Sequence, residues 1–379
     1  MKLTITKDQL MAGLQAVQNL AGGRPFLPIL SNILLQASGD TLQLTATNLD
    51  VAVSCAVQAS VEREGSTTVQ GKKLCGIVRE LASPELTLDT NDQHRTLLRC
   101  GSGQFWLPGL PPEEFPPPLK HEPKHVLVLP QPKLKKVLRQ VSACSSTLTV
   151  AYVHLCGVLF ELRYKVLTIF AADGRMLGFV DIPVSEKGVQ LANVPSVAIN
   201  EVVRSLGDDD VSISMADNSA VFTLFAGESS PQITVTTKLL EGGSPAYRTI
   251  VPASIATSAT ANREEVIGAL RRAEVVIGDK PSGVNLRLAD NAVGLTVEVD
   301  GGGANESIPA KITGEPIDLL ISPRYLLTAL SQIDDDTATI GVPPAEFASK
   351  LVAIRSGDLF YAIMRMYPPG TPIGAKEGA

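Results

Sequence analysis

Amphipathic helical stripes recur along this 379-residue chain at nearly even spacing, which limits its possible folds more than any other feature. Apolar residues at i, i+3, i+4 and i+7 mark four segments clearly: Leu74/Ile77/Val78/Leu81, Leu134/Val137/Leu138/Val141, Ile199/Val202/Val203/Leu206 and Leu326/Ala329/Leu330/Ile333. Two are weaker. Leu10/Leu14/Val17 has Gly13 in its i+3 slot, and Val266/Ala269/Leu270/Ala273 substitutes alanines. First members fall at 10, 74, 134, 199, 266 and 326, so neighbouring stripes lie 60 to 67 residues apart. Six helices so evenly placed imply a repeated module.

Period-two alternation between the helices predicts short strands, as in Thr41–Thr47, Val211–Ser214, Ile233–Thr236 and Leu295–Val299. Asp208–Asp210 follows the fourth helix and Asp334–Asp336 the sixth, and each reads as a solvated turn that stops a helix. Two breaks group the helices in pairs. One is the run from Pro108 to Pro123, and the other is Glu241-Gly-Gly-Ser-Pro245, ending near Pro252. The expected fold is α+β: three similar domains, each with two helices on antiparallel sheet, over 1–124, 125–250 and 251–367. A flexible tail is expected over 368–379.

Net charge is −6, yet eleven-residue windows around the six stripes together carry +8, which leaves −14 for the remainder. On the third helix Lys133, Lys135, Lys136 and Arg139 fall opposite the apolar stripe, and Lys72 and Arg79 do so on the second. Positive helices in an acidic chain suit a surface that tracks a phosphate backbone. No aromatic or Asn/Gln cluster suggests reading of base edges, so contact with nucleic acid should be independent of sequence. Five cysteines are scattered without a CxxC pair, which fits reduced thiols in the cytoplasm. Met1 to Leu10 has neither a basic nor an apolar leader region, and no run approaches a membrane span, so neither a secretory leader nor a membrane partner is expected.

Catalytic signatures are missing. Gly65 to Lys73 imitates a phosphate loop, but five residues separate its glycines and Lys73 occupies the Ser/Thr slot. Gly101-Ser-Gly103 is too short for a nucleophile elbow. The four histidines, His94, His121, His125 and His154, lack metal-ligand spacing. The expectation is a protein that is not an enzyme and needs neither cofactor nor metal.

Several local motifs, in order and at matching spacing, resemble the bacterial DNA polymerase III beta subunit family, the sliding clamps. They are Gly22-Gly-Arg-Pro-Phe-Leu-Pro-Ile-Leu30, Cys156-Gly-Val-Leu-Phe-Glu161, Ala172-Asp-Gly-Arg-Met-Leu177, the stretch from Leu239 to Pro252, and Ile363-Met-Arg-Met366. The likeness runs from residue 1 to about 367. It implies a head-to-tail homodimer whose six domains close a ring around duplex DNA as a processivity factor. Twelve lining helices, each ~10 Å wide, would leave a hole of roughly 28 Å. The implied partners are duplex DNA, the replicative polymerase, the clamp loader and other proteins carrying a clamp-binding peptide. A diverged paralogue acting as a peptide-binding scaffold with weak DNA loading is the alternative.

Carried over by motif, the implied peptide pocket has Leu155, Ala172, Gly174, Arg175, Met176 and Leu177 on one side. Pro245, Ile250, Tyr325, Ile363, Met364 and Met366 complete it. Implied DNA contacts are Arg24, Lys72, Lys73, Lys133, Lys136, Arg139 and Arg272. Head-to-tail contacts would join Phe105 and Leu107 to Val275 and Val276, with Trp106 packing inside its own domain. The chain also departs from the family. Asp173-Gly-Arg-Met-Leu177 stands where Asp-Gly-His-Arg-Leu is usual, and Met364-Arg-Met-Tyr-Pro replaces a terminal Met-Pro-Met-Arg-Leu. Channel residues usual near Val153, Val197, Pro281 and Ser282 are absent.

Overall fold

The computed structural model describes residues 1–22, 27–145, 155–225, 232–242, 247–278, 282–344 and 351–367. Arg24, Pro245 and the 368–379 tail lie outside the described residues. All six stripes are helices: α1 (Lys7–Val17), α2 (Gly71–Glu80), α3 (Gln131–Ser142), α4 (Ser196–Ser205), α5 (Arg263–Ile277) and α6 (Pro323–Ser331). Most of their stripe residues are buried, including Leu74, Leu134, Leu138, Val202 and Leu326, while Ile77 and Val203 are half-buried. The first of the two weak stripes has its cause in close approach. A Cβ at Gly13 would stand 2.7 Å from Leu44 Cδ1, so the missing side chain lets α1 settle on the sheet. In α5, Ala269 and Ala273 are buried beside Val266 and Leu270.

Strands feed the helices abruptly. Lys2–Thr6, Gly65–Gln70, His125–Pro130, Met176–Pro195 and Thr257–Asn262 each run straight into a helix, and Ile317–Ile321 enters α6 through Ser322. Thr6 and Asn262 serve as N-caps, accepting the N–H groups of Gln9 and Glu265. A second device repeats three times. The first backbone N–H of α1, α3 and α5 donates to a carbonyl in the turn that follows the second helix of the same pair. The bonds are Lys7 to Pro84 (2.7 Å), Gln131 to Asp209 (2.7 Å) and Arg263 to Asp336 (2.9 Å). The strands flanking those helices also pair equivalently: Lys2–Thr6 with Glu85–Thr90, His125–Pro130 with Asp210–Met215, and Thr257–Asn262 with Thr337–Val342. The acidic triplets are therefore exposed turns whose backbone, through Asp209 and Asp336, closes a helix pair.

The chain groups into two compact units, Met1–Lys136 with Ser185–Leu240, and Val137–Val184 with Glu241–Ala379. The first unit contains a five-stranded and an eight-stranded sheet. In the larger, Gln232–Lys238 pairs antiparallel with Val51–Gln58, from Gln232↔Ala56 to Thr237↔Val51. The second unit is built on a ten-stranded sheet, in which Met176–Val180 pairs with Leu359–Ile363. Both joins connect segments on opposite sides of the breaks read from sequence. A backbone-paired seam binds two modules as firmly as the strands within one, so compactness does not follow the 124/125 and 250/251 borders. The proline-rich stretch is also well anchored. Leu110 N–H donates to Thr68 Oγ1 at 3.0 Å, and Phe115 is buried with Ile29 and Leu30.

Cys55, Cys75, Cys100 and Cys144 are buried free thiols, and burial pushes the Cys55 thiol up to about 12. In the second unit, Tyr361 is fully buried and its hydroxyl donates to the Gln140 carbonyl at 2.8 Å. Tyr361→Phe strands that carbonyl, so a loss of about 1–2 kcal/mol is expected. Urea unfolding should show a lower midpoint with an unchanged slope; an unmoved midpoint would mean that the bond contributes nothing net.

Candidate functional site

A tight turn organises one surface of the second unit. Asp173 Oδ1 accepts the N–H groups of Arg175 (2.8 Å) and Met176 (2.7 Å), and Asp173 N–H donates to the Met176 carbonyl at 3.1 Å. Gly174 takes φ +87°, a left-handed conformation natural to glycine. The turn joins Gly157–Ala172 to the strand starting at Met176, which pairs Met176 with Ile363 and Leu177 with Ala362. Met364 N–H then donates to the Arg175 carbonyl at 2.8 Å, tying the last strand to the turn. Met366 N–H donates to Leu320, and its sulfur lies over Gly283.

Most of the sequence-derived pocket residues come together here. Met176, Leu177, Leu155 and Ile363 are buried and form an apolar floor, with Leu155 Cδ1 reaching toward Gly174. Above it, Met364 is 52% exposed, Arg175 is exposed, and Ala172 and Met366 are half-buried. Tyr325, at the start of α6, hydrogen-bonds the Asp173 carboxylate; burial first, then the Asp173 charge, raises its phenol above the ordinary value. Unbranched methionines beside a fixed turn give an apolar surface that can adapt to different side chains. Arginine sits at the rim as Arg175, whereas Met176 takes the interior position that reads as arginine in the usual motif. Ile250 is 42% exposed in the segment after Tyr247. Tyr247 itself is structural: its hydroxyl donates to buried Glu161 at 2.6 Å, its ring stacks on Phe170, and burial pushes its phenol up to about 12. Asp173 was missed as a pocket organiser, although its Asp-Gly dipeptide is a turn signal.

The basic side chains on the helices divide into two groups. Lys72 and Lys73 on α2, and Lys133, Lys136 and Arg139 on α3, are exposed. Lys135 is not part of that surface: half-buried, it donates to the Leu206 carbonyl at 2.6 Å and neutralises the C-terminal end of α4. Arg272 grips Glu306 through two hydrogen bonds, 2.8 Å and 2.5 Å, so its charge is already matched. Its neighbour Arg271, unremarked in the sequence, instead lines an open cleft of about 400 Å³ between α5 and α6 with Glu274 and Arg324. Helical periodicity assigns both arginines to the outer half of α5; only the position of Glu306 separates them.

Among the unpaired strand edges of the described residues, two stand at positions equivalent to those that make the two joins above. One belongs to Gly103–Pro108, the terminal strand of the five-stranded sheet. The other is the 302–309 half of Gly302–Thr313, paired through those residues only with Ala292–Val299. The first edge corrects an expectation. Leu107 is 3% exposed and packs in its own core, Phe105 is half-buried, and Trp106 points outward at 60% exposure. Core-facing Leu98 and Leu88 claim the side of the sheet on which Leu107 falls. At the end of α5, Val275 is 83% exposed and Val276 half-buried.

Comparison with known proteins gives this geometry a family. The model of the DNA polymerase III beta subunit N-terminal domain matches residues 1–119, and that of its C-terminal domain matches residues 248–367. The beta sliding clamp of Proteus mirabilis is 29% identical, the match covering 97% of this chain and 100% of that one. The beta sliding clamp of a Synechocystis species is 31% identical over 88% of this chain and 90% of its own. Among solved structures, the DNA polymerase III subunit beta of Pseudomonas aeruginosa superposes with a TM-score of 0.89 at 24% identity, covering 97% and 100% of the two chains. The sliding clamp of Bartonella birtlesii, solved with griselimycin bound, gives 0.88 at 26% identity over the same shares. Matched across nearly its whole length and through both terminal domains, the chain belongs to the DNA polymerase III beta subunit family, the bacterial beta sliding clamps.

Proposed function

We propose that this protein is a DNA polymerase processivity factor: two copies join head to tail in a ring around duplex DNA, and the Asp173–Met364 groove holds partner peptides. The observation that carries the reading is the pattern of seams. After the second helix of each pair come three strands, and the third of them makes the join. Gln232–Lys238 joins Val51–Gln58, and Leu359–Met364 joins the strand beginning at Met176. The remaining third strand is Gly103–Pro108, and the remaining acceptor edge is 302–309. A second copy supplies each with its partner, and the two new seams close the circle. Phe105 then meets the end of α5 near Val275 and Val276. The repeats correspond to domains over 1–124, 125–250 and 251–367.

A closed ring holds DNA by topology, so the inner surface needs positive charge without tight grip. Lys72, Lys73, Lys133, Lys136 and Arg139 supply it, and Arg271 and Arg324 are added to them. These groups face phosphate, which carries no sequence information. Groove partners are the replicative polymerase, the clamp loader and other proteins with short apolar motifs, bound in the cytoplasm at replicating DNA. The role is tethering rather than catalysis and requires no cofactor.

Light scattering should give about twice the 40.1 kDa chain mass, and a stable monomer would sink the ring. Loaded on nicked circular DNA with its loader, the protein should stay bound until the circle is linearised. Release that instead follows salt steeply on both forms would mean ordinary phosphate binding. Met364→Ala should weaken a fluorescent partner peptide about tenfold while leaving the dimer intact; unchanged affinity would discredit the groove.

A further inference from the structure

We infer that Trp106, the single tryptophan of the chain, is the outer anchor of the joint between two copies, lying across Gly303 of the partner copy. This rests on the head-to-tail reading above and adds a residue and register to it. The register comes from the seam already closed in the first unit. Arg95↔Pro108 and Ser219↔Lys238 are equivalent pairs, so Trp106 corresponds to Thr236. Thr236 faces Ala52. On the acceptor side, Thr41↔Gln58 matches Ala292↔Pro309, and Ala59 N–H to Asp40 matches Ala310 N–H to Asn291. Ala52 therefore corresponds to Gly303, and Trp106 faces Gly303. By the same steps Phe105 faces Ala304. Val235, the counterpart of Phe105, is fully buried in its seam, whereas Phe105 is half-buried and so has area left to cover.

The chemistry suits an indole. Within its own chain Trp106 pairs with Leu97 on the neighbouring strand and leaves 60% of its surface in water. Gly303 has no side chain to block the ring, and a Cβ there would lie 2.9 Å from the Val297 carbonyl. Beyond it, Glu298 is exposed opposite Gly303 on the next strand, and its carboxylate can accept the indole N–H. A cross-strand aromatic over glycine covers backbone that would otherwise stay wet. An exposed, flat, aromatic edge is an aggregation hazard in a monomer but an anchor in a closed pair.

Tryptophan emission reports this one residue directly. Diluting the wild-type dimer should shift the emission to longer wavelength as dissociation exposes the indole. Trp106→Thr keeps strand propensity and removes the ring. It should raise the dimer dissociation constant about 30-fold while leaving the melting curve of the monomer unchanged. Glu298→Ala should weaken the dimer less and shift the emission of the assembled form. A firm dimer with water-exposed emission, or one indifferent to Trp106→Thr, overturns the Trp106 assignment and leaves the ring intact. A chain that stays monomeric at every concentration overturns the ring as well.

Discussion

Backbone pairing between repeated modules is the constraint on which the rest of this structure depends. Gln232–Lys238 meets Val51–Gln58, and Leu359–Met364 meets the strand beginning at Met176, by antiparallel hydrogen bonds as regular as those within a module. Backbone bonds of this kind do not depend on side-chain identity. That explains how relatives 24–31% identical share one fold, and why sheets run through borders that proline and glycine mark in the text. The same seam also shapes the groove. Met176 faces Ile363 because the two strands are in register there, and Met364 is held by the Arg175 carbonyl one step beyond.

The groove and the helix surface solve opposite problems. Under the proposed function, partner peptides need an adaptable apolar surface at a fixed place; the Asp173 turn would supply the fixed place and the methionines the adaptability. DNA inside the proposed ring would need charge that does not grip. Charge on the helices is graded by its neighbours. Lys135 is spent on the end of α4 and Arg272 on Glu306, while Lys72, Lys73 and Arg271 remain at the surface. A net count over the sequence cannot separate these uses, since each lysine or arginine contributes the same unit whatever it touches.

Much was legible from sequence alone. The helix stripes, their even spacing and the α+β class follow from period and alternation, because burial of one face is a local requirement written every three or four residues. Gly13 looked like a flaw in the first stripe, and Leu44 shows it to be a fitting surface. Much of the groove was legible through motif likeness, since Asp173-Gly-Arg-Met-Leu177 and Ile363-Met-Arg-Met366 occur as short runs.

Sequence by itself determined which elements form and which face of each is apolar. Only the tertiary structure decided which of two neighbours on one element meets the outside. Trp106 and Leu107 alternate on a strand, and nothing in their order says which side the core occupies; Leu88 and Leu98 settle it. Arg271 and Arg272 are adjacent on α5, and Glu306, brought from a strand 34 residues beyond Arg272, separates a paired charge from one lining the α5–α6 cleft. Local patterning is set by short-range sterics and the hydrophobic effect, whereas pairing between distant segments is chosen only when the whole chain closes on itself.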